Sequence, residues 1–351
     1  DKTVDTPSMT KPKSWTLKSI AAELGVSNAT VSNAFNRPDQ LSKARREAIL
    51  KACEQRGYFG PNKAAQSLRK GTSNIVALVL ADSVEYMVSD PVASSFMRGV
   101  SSILEANNIN LLLFSGNSDH LNNVVDFVDG FICYGRPRNQ GLVEQLKTIT
   151  KQVVTVDFDI GRNTSVNIDN EQASYDIAMH ALRSPQDHVA ILGLRLLDEE
   201  RLCRVQAQPN FDTSQSIAHQ RLRGYQRALE AKGITLADDQ IWNVPESSER
   251  YAPRLAKEVL DSVPRPEVLL CMSDLIALAA LREAAARGIH VPEQLRIVGF
   301  DGIDEGQRCV PTLSTIHQNS EEKGRIAATL FLSKEQQTAE IDYQLQLGQS
   351  S

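Results

Sequence analysis

Along residues 17 to 36, LKSIAAELGVSNATVSNAFN, apolar positions recur three and four apart: Ile20, Ala21 and Leu24, then Val31, Ala34 and Phe35. That spacing predicts two short helices, each with one buried stripe. Gly25 offers the positive-φ position that stops the first, and Ser27 can cap the second. Two short helices joined by a Gly-containing turn make a helix-turn-helix. A third helix is expected from Ser42, with Ile49, Leu50 and Cys53 inward and Gly57 as its stop. After Pro61 the stretch NKAAQSLRKGTSN sets Ala64, Ala65 and Leu68 on one side, but it is too short to be a stable helix in isolation.

Beyond Asn74 the pattern changes. NIVALVLAD, INLLLFSGN, VDGFICYG, KQVVTVDFD, DHVAILGL, PEVLLCMSD and LRIVGFDGI are nearly continuous apolar runs, as in strands covered on both faces, and amphipathic segments such as FMRGVSSILEAN separate them. The expectation is α/β, with two open parallel sheets. No apolar run is long enough to span a membrane, and the N-terminus DKTVDTPSMTKPKSW is polar without a signal-peptide core. A cytoplasmic setting is expected. Residues 1–14 read as a disordered arm, within which Met9 could be a native start.

Charge sharpens this division. Residues 1 to 71 hold 13 Lys+Arg against 6 Asp+Glu, whereas residues 72 to 351 hold 25 against 37, so the net charge of -5 hides a basic head on an acidic body. That asymmetry fits nucleic-acid binding by the head alone. The length of 351 residues calls for two or three domains. The five cysteines are widely spaced with no CxxC, which indicates neither a disulfide framework nor a zinc site.

The second helix turns Ser27, Asn28, Ala29, Ser32 and Asn33 outward: small side chains and two amides that can enter a major groove and offer donors and acceptors to base edges. Lys43, Arg45, Arg46 and Lys51 on the third helix read as phosphate clamps or as a solvated face. Lys63, Arg69 and Lys70 surround the short stretch, where Leu68 is available as a minor-groove wedge. On these residues alone, an ordinary helical hairpin followed by a plain linker stays open. In the body, Asp157, Asp159, Ser273, Asp274 and Asp301 fall at carboxyl ends of expected strands, where open α/β sheets bind ligands. Such carboxylates suit polyhydroxy ligands, and equally metals or acid/base chemistry. No GxSxG elbow, phosphate loop or HExxH is present, and the six histidines lack metal-ligand spacing.

TLKSIAAELGVSNATVSNAFN followed by RREAILKACEQRGYFGPNKAAQSLRKGTSNIVALVL resembles the head and hinge of the lac-repressor/gal-repressor family of bacterial transcription regulators. VDGFICYG, VVTVDFD, SVNIDNEQA, HVAILG, AHQRLRGYQRALEAKGI, LLCMSDLIALAALREAAARGIHVPEQLRIVGFDGI and PTLSTIHQN resemble further family blocks in the family's order, covering nearly all of residues 16 to 351. The resemblance implies an all-α helix-turn-helix head at 15–60, a hinge helix and linker at 61–71, and a periplasmic-binding-protein-like body at 72–351. Its two subdomains would be about 72–168 plus 319–338, and about 170–317 plus 340–351. The implied DNA contacts are Thr16, Ser27, Asn28, Ala29, Thr30, Ser32, Asn33, Asn36, Lys43, Lys63, Ala65, Gln66, Leu68 and Arg69. Those to a small polar effector, a sugar or its derivative, are Asp157, Arg221, Ser273, Asp274, Asp301 and Gln318. The implied protein is a homodimeric repressor on a pseudo-palindromic operator, without cofactor, metal, membrane partner or enzymatic activity. The alternatives are a solute-binding or sugar-processing protein with a structural basic head, or a regulator that answers to a nucleoside or a phosphoprotein.

Three positions depart from the family pattern. Asn33 stands where many members place Arg or His, so amide contacts, for which adenine is the usual partner, replace a bidentate guanine contact. The usual pocket aromatic falls at Pro245, with Trp242 as its expected substitute. Residues 198–216 form a longer, more polar segment than usual before Arg221, expected to reshape one cleft wall.

Overall fold

The computed structural model of the chain describes residues 15–61, 71–162, 164–205 and 216–351. The chain divides into two compact units, Asp1–Ser73 and Asn74–Ser351.

In the first unit three helices, α1 (Leu17–Glu23), α2 (Asn28–Asn36) and α3 (Lys43–Glu54), each start at a side-chain cap. The Thr16 hydroxyl accepts from the Ser19 amide, Ser27 from that of Thr30 and Ser42 from that of Arg45, so each helix has one of its orphan N–H groups satisfied locally. Gly25 turns between α1 and α2 at φ +64°, where a side chain would be strained. Ile20, Ala21, Val31, Ala34, Ile49, Cys53 and Tyr58 form the core, and Phe35 meets Tyr58 edge-on at 5.8 Å.

The second unit continues with β1 (Ile75–Leu80), α4 (Val84–Ser89), α5 (Pro91–Ala106), β2 (Asn110–Phe114), α6 (Asn122–Val125), β3 (Gly130–Tyr134), α7 (Gln140–Thr148), β4 (Gln152–Val156), β5 (Ser165–Asn167) and α8 (Asn170–Ala181). There follow β6 (Val189–Leu194), β7 (Cys203–Val205), α9 (Ile217–Lys232), β8 (Ile241–Val244), α10 (Ala252–Leu260), β9 (Val268–Cys271), α11 (Asp274–Ala286), β10 (Arg296–Val298) and α12 (Asp304–Arg308). The chain closes with β11 (Thr315–His317), α13 (Ser320–Ser333), β12 (Thr338–Glu340) and β13 (Gln344–Gln346).

Two sheets form two lobes. The first runs β12-β5-β4-β3-β1-β2 with every pairing parallel. The second runs β10-β9-β6-β8-β7, parallel except where the short edge strand β7 meets β8. Because β12 returns to the first sheet and β13 pairs with β11, the chain crosses between lobes three times: after β5, after β11 and after β12. The apolar runs form the strands because both sheet faces are covered: Val76, Leu78 and Leu80 pack toward α5 and α13, whereas Ala77 and Val79 pack toward α7. Glycines let α5 and α13 close up. A Cβ on Gly99 would lie 1.9 Å from the Glu321 carbonyl oxygen, and one on Gly324 2.2 Å from that of Phe96. No described helix is long and apolar enough to cross a membrane.

Candidate functional site

In the head, Ser27, Asn28 and Ala29 are exposed at the start of α2, and Thr30, Ser32 and Asn33 are half-buried along it. The Ser27 hydroxyl lies 2.8 Å from that of Thr30, and the Asn36 amide donates to the Ser32 carbonyl at 3.0 Å. Among the described residues the side-chain amides of Asn28 and Asn33 make no hydrogen bond, which leaves their donors and acceptors for an external partner. Thr16 is exposed, with its hydroxyl engaged in the α1 cap, and Lys43, Arg45 and Lys51 are exposed on α3. Arg46 departs from the expected clamp. Its Nε donates to the Ala34 carbonyl at 2.9 Å, so this guanidinium is half-buried and ties α3 to the end of α2. Lys63, Ala65, Gln66, Leu68 and Arg69 lie outside the described residues, as does the rest of the expected hinge helix.

In the body, strand ends converge on a cavity of about 340 Å³. Asp157 follows β4, Arg195 follows β6, Ser273 lies beyond β9, Asp301 beyond β10 and Gln318 after β11, and all five line it, as does Arg221 from α9. Open α/β sheets bind ligands at this position because loops at the carboxyl ends diverge and leave space. Asp157 (φ 59°), Arg195 (φ 54°) and Asp301 (φ 140°) take left-handed backbone there, a cost that surrounding structure must impose and that gathers at functional sites.

A hydrogen-bonded chain runs through this wall. The Lys323 Nζ donates to both Asp157 oxygens at 2.9 Å and to the Gln318 Oε1 at 2.8 Å, and the Gln318 Nε2 donates to the Asp301 Oδ1 at 2.8 Å. The Asp301 Oδ2 accepts from the Asp274 amide at 3.2 Å. Burial first, then the nearby Asp274 carboxyl, pushes Asp301 well above the usual carboxylate range, while Arg221 opposes the shift. Burial also depresses Lys323, against the pull of Asp157. Among the described residues Arg221 makes no salt bridge to a carboxylate: its Nε donates to the Asn170 Oδ1 at 2.9 Å, one Nη donates to the Met272 carbonyl at 3.0 Å, and the guanidinium lies 3.7 Å over the Phe300 ring. Held this way, Arg221 lines the cavity with one terminal nitrogen that bonds none of the described residues. The resulting surface of fixed donors and acceptors suits a ligand rich in hydroxyls.

Three sequence expectations need correction. Trp242 does not replace the missing aromatic: it is 2% exposed, sits in the core of the second lobe and stacks under Arg204 at 4.3 Å, because β8 is covered on both faces. Asp274 is fully buried behind the wall, where its carboxyl accepts from Thr315 at 2.6 Å and from the amides of Gly302 and Ile303 at 2.8 and 2.9 Å, which makes it a brace for the Asp301 turn. Asp159 is not among the residues that line the cavity, and its carboxylate accepts from the Gly161 amide of its own turn at 2.7 Å. Residues 206–215 of the long polar segment lie outside the described residues.

Other cavity residues were not foreseen. Tyr134 stacks on Phe96 at 4.4 Å, and Arg138 pairs with Asp82 of the first lobe while donating to the Pro245 carbonyl of the second at 2.6 Å. The Ser247 amide donates to the Tyr86 hydroxyl at 2.9 Å, and the hydroxyls of Ser247 and Ser273 are 2.5 Å apart. The carboxyl-end rule, applied to every strand instead of the acidic ones alone, points to Tyr134 and Arg195. Among the described residues no group of three or more His, Cys, Asp or Glu side chains is placed to hold a metal ion.

Comparison with known proteins follows the same division. The profile described as "Bacterial regulatory proteins, lacI family" matches residues 16–62, and that of a periplasmic binding protein-like domain matches residues 176–346. Rv3575c, an HTH-type transcriptional regulator of Mycobacterium tuberculosis (strain ATCC 25618 / H37Rv), is 36% identical over 332 residues, which cover 90% of each chain. A solved complex of the transcriptional regulator CelR with cellobiose has a TM-score of 0.66 at 23% identity, covering 96% of this chain and 100% of the other. The lac repressor dimer bound to operator and the anti-inducer ONPF has a TM-score of 0.73 at 19% identity, with 96% and 99% covered.

Proposed function

Because the chain belongs to the lacI family of bacterial regulatory proteins, we propose that it is a repressor controlled by a small polar effector, a sugar or sugar derivative. It is a DNA-binding transcriptional regulator with a periplasmic-binding-protein-like effector domain. The proposal adds the site. Asn28 and Asn33 read base edges, exposed lysines such as Lys43 meet phosphates, and Arg221, Asp301, Asp157, Ser273 and Gln318 receive the effector. The working unit is a cytoplasmic dimer that catalyses no reaction, since one head offers little base-contacting surface and a pseudo-palindromic operator takes two heads about one helical turn apart.

The observation that carries the effector reading is the cavity of about 340 Å³ at the strand ends, with a fixed guanidinium and a carboxyl on its wall. Its lining comes from both lobes, so a ligand that favours one lobe arrangement shifts the population of that arrangement and, through it, operator affinity. The cellobiose and operator complexes of CelR and the lac repressor support a sugar and a DNA operator as partners.

The test combines gel shifts on genomic fragments with calorimetry on a sugar panel. Charge-assisted bonds in such a site are worth about 1.5 to 3 kcal/mol each, so Arg221→Ala and Asp301→Ala should each weaken effector binding by roughly 10- to 150-fold and leave operator affinity nearly intact. Leu68→Ala should do the reverse. Effector binding that survives both body substitutions would put the effector elsewhere.

A further inference from the structure

Arg195 takes no part in the wall network. It follows the central strand β6, where its amide donates to the Val244 carbonyl at 2.8 Å, is held at φ 54° and lines the cavity half-buried, and its guanidinium makes no hydrogen bond or salt bridge among the described residues. The other cavity arginines are committed: Arg138 to Asp82 and the Pro245 carbonyl, Arg136 to Gln140, Arg221 to Asn170 and Met272. Burial first, then the neighbouring Arg138, disfavours the charged guanidinium against the pull of Asp82, Tyr86 and Asp198, and that cost is recovered when an anion occupies it.

The charges that face Arg195 leave room for that anion. Asp82 accepts from the Ser83 amide, Arg138 and Asn117; these bonds, with the weaker pull of Arg195 itself, outweigh burial and hold it below the usual carboxylate range, so its hydrogen-bonding capacity goes to groups other than Arg195. Asp157 is matched by Lys323, and the Asp90 carboxyl caps α5 by accepting from the Ala93 amide at 2.8 Å. With Asp301 set against Arg221, Asp198, an exposed residue of the same lining, is left as a weaker attraction on Arg195.

We propose that the effector is a polyhydroxy compound carrying an anionic group, a phosphate ester or a carboxylate, and that Arg195 receives this group while Arg221 and Asp301 take the hydroxyls. The inference rests on the effector-site reading above. Sheet order supports the span: β6 lies two strands from β10, so Arg195 and Asp301 leave the sheet roughly 10 Å apart at about 4.8 Å per strand, the reach of a hexose with one substituent. Arg suits this role because its planar fork binds both anions bidentately.

The experiment is a melting measurement on the full chain at fixed ionic strength, with inorganic phosphate against chloride. Phosphate at ten times its Kd should raise the wild-type midpoint by roughly 3 °C; Arg195→Gln should abolish the rise and Arg195→Lys should keep part of it. No rise in the wild type, or an equal rise in Arg195→Gln, overturns the proposal. Should Arg195→Gln not fold, Arg195→Lys decides: a reduced rise supports Arg195 as the receiver, and an undiminished one excludes it. A second arm compares glucose, glucose 6-phosphate and glucuronate. Preference for either anion over glucose, weakened by the Arg195 variants, supports the proposal and says which anion is used; glucose binding as tightly as both overturns it. Failure of the regulator reading would show instead as loss of operator binding by the wild-type chain, which these melts do not measure.

Discussion

Replacing Lys323 by Met should destabilise the body by about 3 to 4 kcal/mol. Lys323 is 1% exposed and Asp157 5%, and the ammonium places two hydrogen bonds on Asp157 and one on Gln318. Met fills the space of the stem but strands a buried carboxylate and a buried amide oxygen. Removing one partner of a buried pair costs about 3 to 5 kcal/mol. For a body of this size that is a fall in melting midpoint of roughly 10 °C. Adding Asp157→Asn to Lys323→Met removes the stranded charge, so the double variant should recover at least half of the loss, with a coupling energy of about 2 kcal/mol or more. Melting and urea unfolding of both single variants and the double at pH 7 complete the cycle. Additivity within about 0.5 kcal/mol would refute the argument, because the pair would then not be what holds Asp157 and Gln318 in place.

In the head, Asn33→Ala should weaken operator binding by roughly 1 to 3 kcal/mol and relax base preference at one position per half-site, whereas Lys43→Ala should weaken binding to all sequences alike and lower the salt slope by about 1. Gel shifts on operator variants at two salt concentrations separate the two; unchanged binding of Asn33→Ala to every variant would remove α2 as the reading element. The body should also gain stability on mild acidification. Burial pushes Asp274 up to about 6, against its hydrogen bonds from Thr315 and the neighbouring amides, and Asp301 is raised as well. A folded value above the unfolded one means stability that is complete below the unfolded value near 3.8 and is lost as pH rises through about 6. Calorimetry from pH 7.5 to 5.5 should therefore show a rise equivalent to roughly 1 kcal/mol, and a flat or falling midpoint would contradict it. The lowered carboxyls, Asp82 and Asp187, lose their contributions only at more acid pH.

The head was legible because its determinants are local. Each cap sits within three residues of the amide it satisfies, and Gly25 is read from its place between two apolar stripes. The long strands were legible because burial on both faces leaves an unbroken apolar run. Of the six three-residue strands, all but β10 carry no such pattern, and four of those, β7, β11, β12 and β13, owe their pairing to segments more than twenty residues away. The same distance hid the wall network. Lys323, in EEKGRIAA, looks like one charge on a solvated helix face, since nothing local says that α13 packs so closely on α5 or that Asp157, 166 residues earlier, waits beside it. Trp242 and Asp274 fail for a related reason. Both residue types are common in polar ligand sites, but an aromatic in a strand covered on both faces turns inward, and a carboxyl in the first turn of α11 meets the amides of the neighbouring Asp301 turn before it can meet a ligand. Residue type therefore selects candidates poorly here, and position selects them better. Asp157 and Arg195 immediately follow their strands and Asp301 lies three residues beyond β10, all three in left-handed backbone, and that shared placement singles out Arg195, which no residue motif had marked.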